Sequence, residues 1–214
     1  MSLHRTRIKF CGMTRTADAL AAISLGVDAL GFVFAPGTPR CLSLEAAAAI
    51  RRQLPPLVSV VALLRNAESA LVQGVMEALR PDLLQFHGEE AADYCGAFGK
   101  PWIKAIAMRG PHRPLAELAR EYAGAAALLL DGHAPGEPGG QGHSFDWTTV
   151  SQVGKPLILA GGLRPDNVAQ AIRIARPYAV DVSSGIEAAP GIKDSGKMEA
   201  FARQVRGADL DAST

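Results

Sequence analysis

The sequence is short of several things that would point elsewhere. Its three cysteines, Cys11, Cys41 and Cys95, are an odd number with no CxxC spacing. That argues against a disulfide framework and against a zinc site. Five histidines are scattered with no HExxH pattern. Net charge is nearly absent, at a formal +1, so neither a sequence-independent nucleic-acid binder nor a membrane-surface protein is indicated. No run approaches the ~20 apolar residues of a membrane span. The opening "MSLHRTRI" is basic but lacks the apolar core of a secretory signal. The expectation is a cytoplasmic protein with free thiols, with no nucleic-acid and no membrane partner. Any anionic ligand must then be held by local groups.

What is present is a rhythm. The 214 residues are 48% hydrophobic and 20% charged, a globular balance. Short apolar or β-branched runs recur: "RIKFC" (7–11), "ALGFVF" (29–34), "LVSVVALL" (57–64), "DLLQFH" (82–87), "WIKAIA" (102–107), "ALLLD" (127–131), "LILAG" (157–161) and "AVDVSS" (179–184). Amphipathic pieces such as "TADALAAISLG", "SLEAAAAIRRQL", "ESALVQGVMEAL" and "PLAELAREYAG" separate them, with Gly26 and Gly124 placed as helix C-caps. Such alternation predicts βαβ units and a parallel sheet. Eight units without a composition break predict a single-domain (β/α)8 TIM barrel over 1–206, followed by a frayed tail over 207–214. A doubly wound sheet is the alternative, but the first turn, "CGMTRT", is no GxGxxG. One connection, "GHAPGEPGGQGHSFDW", is long enough to be a lid or binding loop.

In such a barrel alternate residues face inward, and chemistry sits at the strand C-terminal ends. With Ile8 and Phe10 against the helices, Lys9 and Cys11 fall inside. The same parity turns Gln85, His87, Asp131, Asp181 and Ser183 inward. Each has an ordinary explanation. A thiol at a strand end is more often a small hydrophobe, a lone Asp can start a turn, and Lys9 with Asp181 can be a structural ion pair. Their convergence on one end is what an apolar core would not select, because unpaired buried charge costs several kcal/mol. The turns after the seventh and eighth strands, "LAGGLRPDNV" and "VDVSSGIE", offer Gly161, Gly162, Ser184 and Gly185 to a phosphate, with a helix expected from near Pro165. Two tight turns would look the same.

The motifs "KFCGMT", "DALGFVFAPGTPR", "LLQFHG", "LLLD…PGGQGHSFDW", "LAGGLRPDNV" and "VDVSSGIEAAPGIKD", in this order from Lys9 to about Phe201, resemble the phosphoribosylanthranilate isomerase family. The resemblance implies a small phosphoribosyl substrate, an Amadori rearrangement and no metal or organic cofactor. It implies Asp131 as general acid, Cys11 as general base, and Arg40, with Lys9, His87 and Asp181, as substrate contacts. A monomer or homodimer is expected.

An ordinary Asp is ionised and an ordinary Cys protonated near neutral pH. The acid is therefore expected to be kept protonated by burial or by the bound anion, and the thiol to be acidified by Lys9. Three places depart from the family pattern: Arg164 stands where a hydroxyl cap is usual, "GGQG" where a threonine is common, and "VVALLRN" where a Gly-Val-Phe pattern is usual. A histidine-pathway isomerase using paired carboxylates is the rival enzyme, against which Cys11 argues. A non-catalytic phosphosugar-binding barrel is the rival outside enzymes.

Overall fold

Eight parallel strands close on themselves in sequence order, β1-β2-β3-β4-β5-β6-β7-β8, with β8 pairing back to β1. They are β1 (Arg7–Cys11), β2 (Ala29–Val33), β3 (Ser59–Leu64), β4 (Leu83–Phe86), β5 (Trp102–Ala107), β6 (Ala127–Asp131), β7 (Leu157–Leu159) and β8 (Ala179–Val182). The computed structural model describes residues 5–110, 113–134, 136–137 and 142–211. Parts of the opening "MSLHRTRI", of the long loop with its "GGQG", and of the C-terminal tail lie outside the described residues.

The strands read as near-continuous apolar runs because both faces are covered. Outward residues such as Ile8, Phe10, Leu84, Phe86, Leu128, Leu130, Val180 and Val182 join the large cluster shared with the helices. Inward residues Ile103, Ala105, Ala127, Leu129, Ile158, Ala160 and Ala179 fill the barrel interior as a separate cluster. A small third cluster of Cys11, Val33 and Ala35, with Leu63 against it, faces the opposite side of the interior. The parity expected for β1, β4, β6 and β8 is the parity observed.

Helices α1 (Thr16–Ser24), α2 (Leu44–Arg51), α3 (Ser69–Leu79), α4 (Ala92–Gly96), α5 (Leu115–Glu121), α6 (Val168–Ala175) and α7 (Ser195–Asp211) surround the strands. Ser43 caps α2 by accepting from the Ala46 N–H at 3.2 Å. Gly26, at φ +70°, follows α1 in the left-handed conformation that ends helices without a Cβ penalty. Gly124 does not have this role: it lies three residues past α5, packed toward the Trp102 ring.

Three further expectations are corrected. Between β6 and β7 the described residues hold only a 3-10 turn, Trp147–Thr149, in place of an α-helix. Gly and Pro crowd the first half of the connection and disfavour a helix there, while Phe145, Trp147, Val150 and Val153 pack against the core without one. The helix expected from Pro165 starts at Val168, after a turn in which Asn167 accepts the Arg164 N–H and donates to the Gly162 carbonyl. The amide thereby ties the turn before α6 together, and no side chain caps the helix itself. Finally, residues 207–211 are not frayed, because α7 runs to Asp211 with Ala208 buried. An antiparallel pair, β9 (Glu187–Ala189) and β10 (Ile192–Lys193), is inserted between β8 and α7.

Candidate active site

The C-terminal strand ends open into one cleft enclosing ≈ 840 Å³ up to its mouth. Its wall includes Cys11, Arg40, His87, Asp131, Asp181, Gly161, Gly162 and Ser184 from the residues singled out in the sequence. Two others sit behind the wall. Lys9 lies one layer deeper, where parallel register sets it beside Asp181 and its Nζ donates to Asp181 Oδ2 at 2.8 Å. Gly185 is pressed against the backbone after β7, and a Cβ there would stand 2.0 Å from the Leu163 carbonyl oxygen.

Cys11 ends β1 opposite Gly31 on β2. The pairing has a steric reason that sequence reading missed: a Cβ on Gly31 would lie 2.6 Å from Cys11 Sγ and 3.1 Å from Lys9 Nζ. Burial pushes the Cys11 thiol up from its ordinary value, and the Lys9 ammonium pulls the other way without overcoming it. Lys9 therefore acts in the expected direction, but the free site holds a thiol. Lys9 itself is raised: burial opposes its charge, and Asp181 and Cys11 more than offset this.

Asp131 ends β6 between two imidazoles. His87 Nε2 is 3.1 Å from its Oδ2 and His133 Nδ1 is 3.7 Å from its Oδ1. The two rings stand 5.0 Å apart. Gln85 Nε2 lies 3.0 Å from His87 Nδ1. An amide N–H donated there leaves the ring's proton on Nε2, facing the carboxylate. Burial pushes the Asp131 carboxyl up, but His133 and His87 outweigh it and hold the group well below the usual carboxylate range. The free site thus carries a carboxylate, so of the two expected causes of protonation, burial and the bound anion, burial does not suffice. The ligand atoms of His87, Asp131 and His133 lie within 4.8 Å of one another, making them the described residues that could draw a divalent ion together. His133 follows Asp131 by two residues, so strand parity extended past the strand would have found it.

Arg40 is held through its fork. Nε and Nη2 donate to Glu187 Oε1 and Oε2 at 2.8 and 2.7 Å, and Lys193 Nζ meets Oε1 at 2.9 Å. Both Glu187 and Lys193 come from the β9–β10 insert, which the sequence reading did not identify. On the far side of the cleft the backbones after β6, β7 and β8 crowd together. Gly161 and Gly162 have φ of +73° and +64°, and a Cβ on either would meet backbone at 2.1 and 2.6 Å. Ser183 Oγ and Asp181 Oδ1 are buried cleft atoms without a hydrogen-bond partner among the described residues. Such atoms suit ligand hydroxyl or phosphate groups.

The placement is that of the (β/α)8 barrel enzymes, whose chemistry is done by side chains at the carboxyl ends of the strands. Comparison with known proteins narrows the class. Residues 8–204 match the family described as N-(5'phosphoribosyl)anthranilate (PRA) isomerase, and the chain belongs to that family. A relative from Nitrosococcus oceani, named N-(5'-phosphoribosyl)anthranilate isomerase, is 52% identical over 94% of this chain and 98% of its own. The solved Thermus thermophilus phosphoribosyl anthranilate isomerase superposes with a TM-score of 0.85 at 40% identity, covering 94% and 99% of the two chains. A third, solved in complex with reduced 1-(o-carboxyphenylamino)-1-deoxyribulose 5-phosphate, gives a TM-score of 0.79 at 36% identity, with 94% and 99% covered.

Proposed function

We propose that Cys11 and Asp131 are the base and the acid of the family's reaction. That reaction is the Amadori rearrangement of N-(5-phosphoribosyl)anthranilate to 1-(2-carboxyphenylamino)-1-deoxyribulose 5-phosphate in tryptophan biosynthesis. The observation that carries the assignment is their convergence: a thiol and a carboxyl from β1 and β6 face one cleft. Asp131 gives a proton to the ribose ring oxygen as the C1–O bond breaks and the nitrogen lone pair forms the imine. Cys11 then takes the proton from C2, and the C–H electrons form the C1–C2 double bond of an enolamine. Tautomerisation to the ketone returns the proton balance, so the product is an isomer of the substrate.

The free site holds both protons the wrong way round. Even at ordinary values of 3.8 and 9.0, the form with a neutral Asp and a thiolate is roughly one in 10⁵. Substrate binding supplies the correction, since a phosphate against Gly161, next to Asp131, favours its protonation. His87, whose Nε2 stands 3.1 Å from Asp131 Oδ2, lies on the route. The phosphate is placed against Gly161, Gly162, Ser184 and the backbone at Gly185, where crowded turns leave room only for glycine and the serine hydroxyls donate. Asp181, with its unpartnered oxygen, and Lys9 behind it face the ribose hydroxyls. Arg40 faces the aromatic half.

All these groups belong to one chain, so a single copy carries the whole site, alone or as a homodimer. Among the described residues no helix is long and apolar enough to cross a membrane. The free state of Cys11, Cys41 and Cys95 suits a cytoplasmic setting.

The test follows the loss of substrate fluorescence. Cys11→Ala and Asp131→Asn should each lower kcat by ~10²–10⁴ with KM changing only a few-fold. Near-normal turnover in either removes that residue from the mechanism. The free-site protonation favours the reverse assignment, with the thiol as acid and the carboxylate as base. Substrate deuterated at C2 separates the two. With Asp131 as acid, Asp131→Asn makes ring opening limiting and suppresses the isotope effect, while Cys11→Ser retains it in full. The reverse pattern exchanges the roles.

A further inference from the structure

We infer that His87, Asp131 and His133 form a binding site for a zinc ion, and that filling it stops turnover. The set is assembled from two strands, which is why no CxxC or HExxH spacing announces it. His87 directly follows β4, Asp131 ends β6, and His133 comes two residues later. Their backbones are pinned by neighbouring strands. The His87 N–H donates to the Leu64 carbonyl at 2.8 Å, and the Asp131 and His133 carbonyls accept from Met108 and Arg109 at 2.9 and 3.2 Å. Donors carried on rigid strand ends hold the shape of a site.

The two ring nitrogens nearest the carboxylate, His87 Nε2 and His133 Nδ1, are buried without a hydrogen-bond partner among the described residues. They stand 3.1 and 3.7 Å from the Asp131 oxygens, and the three ligand atoms lie within 4.8 Å of one another. Bonds of about 2.0–2.2 Å to a tetrahedral zinc place its ligand atoms about 3.4 Å apart, so the set draws in by about 1.4 Å at most. Two imidazoles and a carboxylate suit zinc over magnesium or calcium, which prefer oxygen ligands. His87 must then offer a lone pair at Nε2, and Gln85 is placed to arrange it. Gln85 Oε1 is buried without a partner, and the amide lies 3.0 Å from His87 Nδ1. Turning the amide over lets this oxygen accept the Nδ1 proton that a zinc-bound imidazole carries. The fourth position opens to the cleft, which His87 and Asp131 line. Zinc there occupies the oxygens on which Asp131 would hold its proton. The inhibition therefore rests on Asp131 as the acid, whereas binding of the ion does not.

The probes are Zn²⁺ followed by calorimetry and Co²⁺ followed by its absorption spectrum, each added to the metal-free protein. One ion per chain is expected, with the intense visible bands of four-coordinate Co²⁺ and no sulfur-to-cobalt charge-transfer band. Millimolar Mg²⁺ should not displace it. Gln85→Leu removes only the outer support and should weaken Zn²⁺ binding by about 10- to 100-fold. His133→Ala removes a ligand outright and should cost at least the upper end of that range, about 100-fold. Melting curves of the metal-free variants check folding, and His133→Gln replaces the alanine variant if that one does not fold. Turnover should fall in step with Zn²⁺ occupancy and return on adding a chelator. An unchanged affinity in His133→Ala, a sulfur charge-transfer band, or no uptake of micromolar Zn²⁺ each overturns the site. Zinc bound as expected with turnover undiminished overturns the inhibition. A metal-free protein without turnover fails the isomerase reading instead, and calorimetry still decides the site.

Discussion

Cys11 has its position through what its neighbours omit. Gly31 faces it across the β1–β2 pair, and the thiol and the Lys9 amine together occupy the space a methyl group would need. Gly31→Ala therefore forces the backbone or the thiol to shift by several tenths of an ångström. Side chains in a packed interior yield poorly to such insertions, with a usual cost of about 1–3 kcal/mol. The expected outcome is a folded variant with a lowered Tm and at least a tenfold lower kcat. Thiol accessibility to a small alkylating reagent should change in parallel. Unaltered kcat would mean that the sulfur position is not critical to turnover. The same crowding explains why parity alone can turn Cys11 inward but cannot predict its protonation. Parity fixes direction, whereas the acidity of the thiol depends on the depth of burial set against one lysine.

At the scale of elements, the strands were legible because a parallel strand buried on both faces leaves an uninterrupted apolar run. Their polar ends were legible for the same reason in reverse, since Lys9, Gln85, Asp131 and Asp181 break that run on one side only. The β9–β10 insert was not. Its strands are three and two residues long, and nothing in "EAAPGIK" marks Glu187 and Lys193 as partners before the turn brings them together. Yet this hairpin holds Arg40. Glu187 is buried with both cations on it, which hold its carboxyl below the ordinary value against the upward push of burial. Glu187→Gln removes the charge and leaves Arg40 and Lys193 close together without their counterion. Breaking a buried pair in this way costs about 3–5 kcal/mol. Urea unfolding should show that loss, and KM should rise more than kcat falls as Arg40 loses its anchor. Unchanged stability would mean that water reaches this cluster and solvates the cations.

For the whole molecule, the buried ionisable groups set a window of pH in which the fold is stable. Glu90, like Glu187, is held below its ordinary 4.5: burial opposes the charge, but Lys104 at 2.8 Å and the N–H groups of Asn66 and Gly88 outweigh it. A carboxyl with a lowered folded value binds protons more readily in the unfolded chain. Its stabilisation is complete above the unfolded value and is lost as pH falls below about 4.5 through the folded value. On the alkaline side the sign is the same for thiol and phenol. Burial raises Cys95 from 9.0 to about 11 and Tyr122 from 10.0 to about 12. Between those values the unfolded chain has released a proton that the folded protein still holds, so stability falls with rising pH. The slope is about 1.4 kcal/mol per pH unit for each group. Urea unfolding across the pH range should therefore give a plateau around neutrality with a falling limb on each side. Cys95→Ala should lower the plateau by a constant amount for the lost packing and flatten the alkaline limb that begins near 9.0. An alkaline slope that survives Cys95→Ala unchanged would remove Cys95 as its source and leave Tyr122 and Cys11, also raised by burial, to account for it.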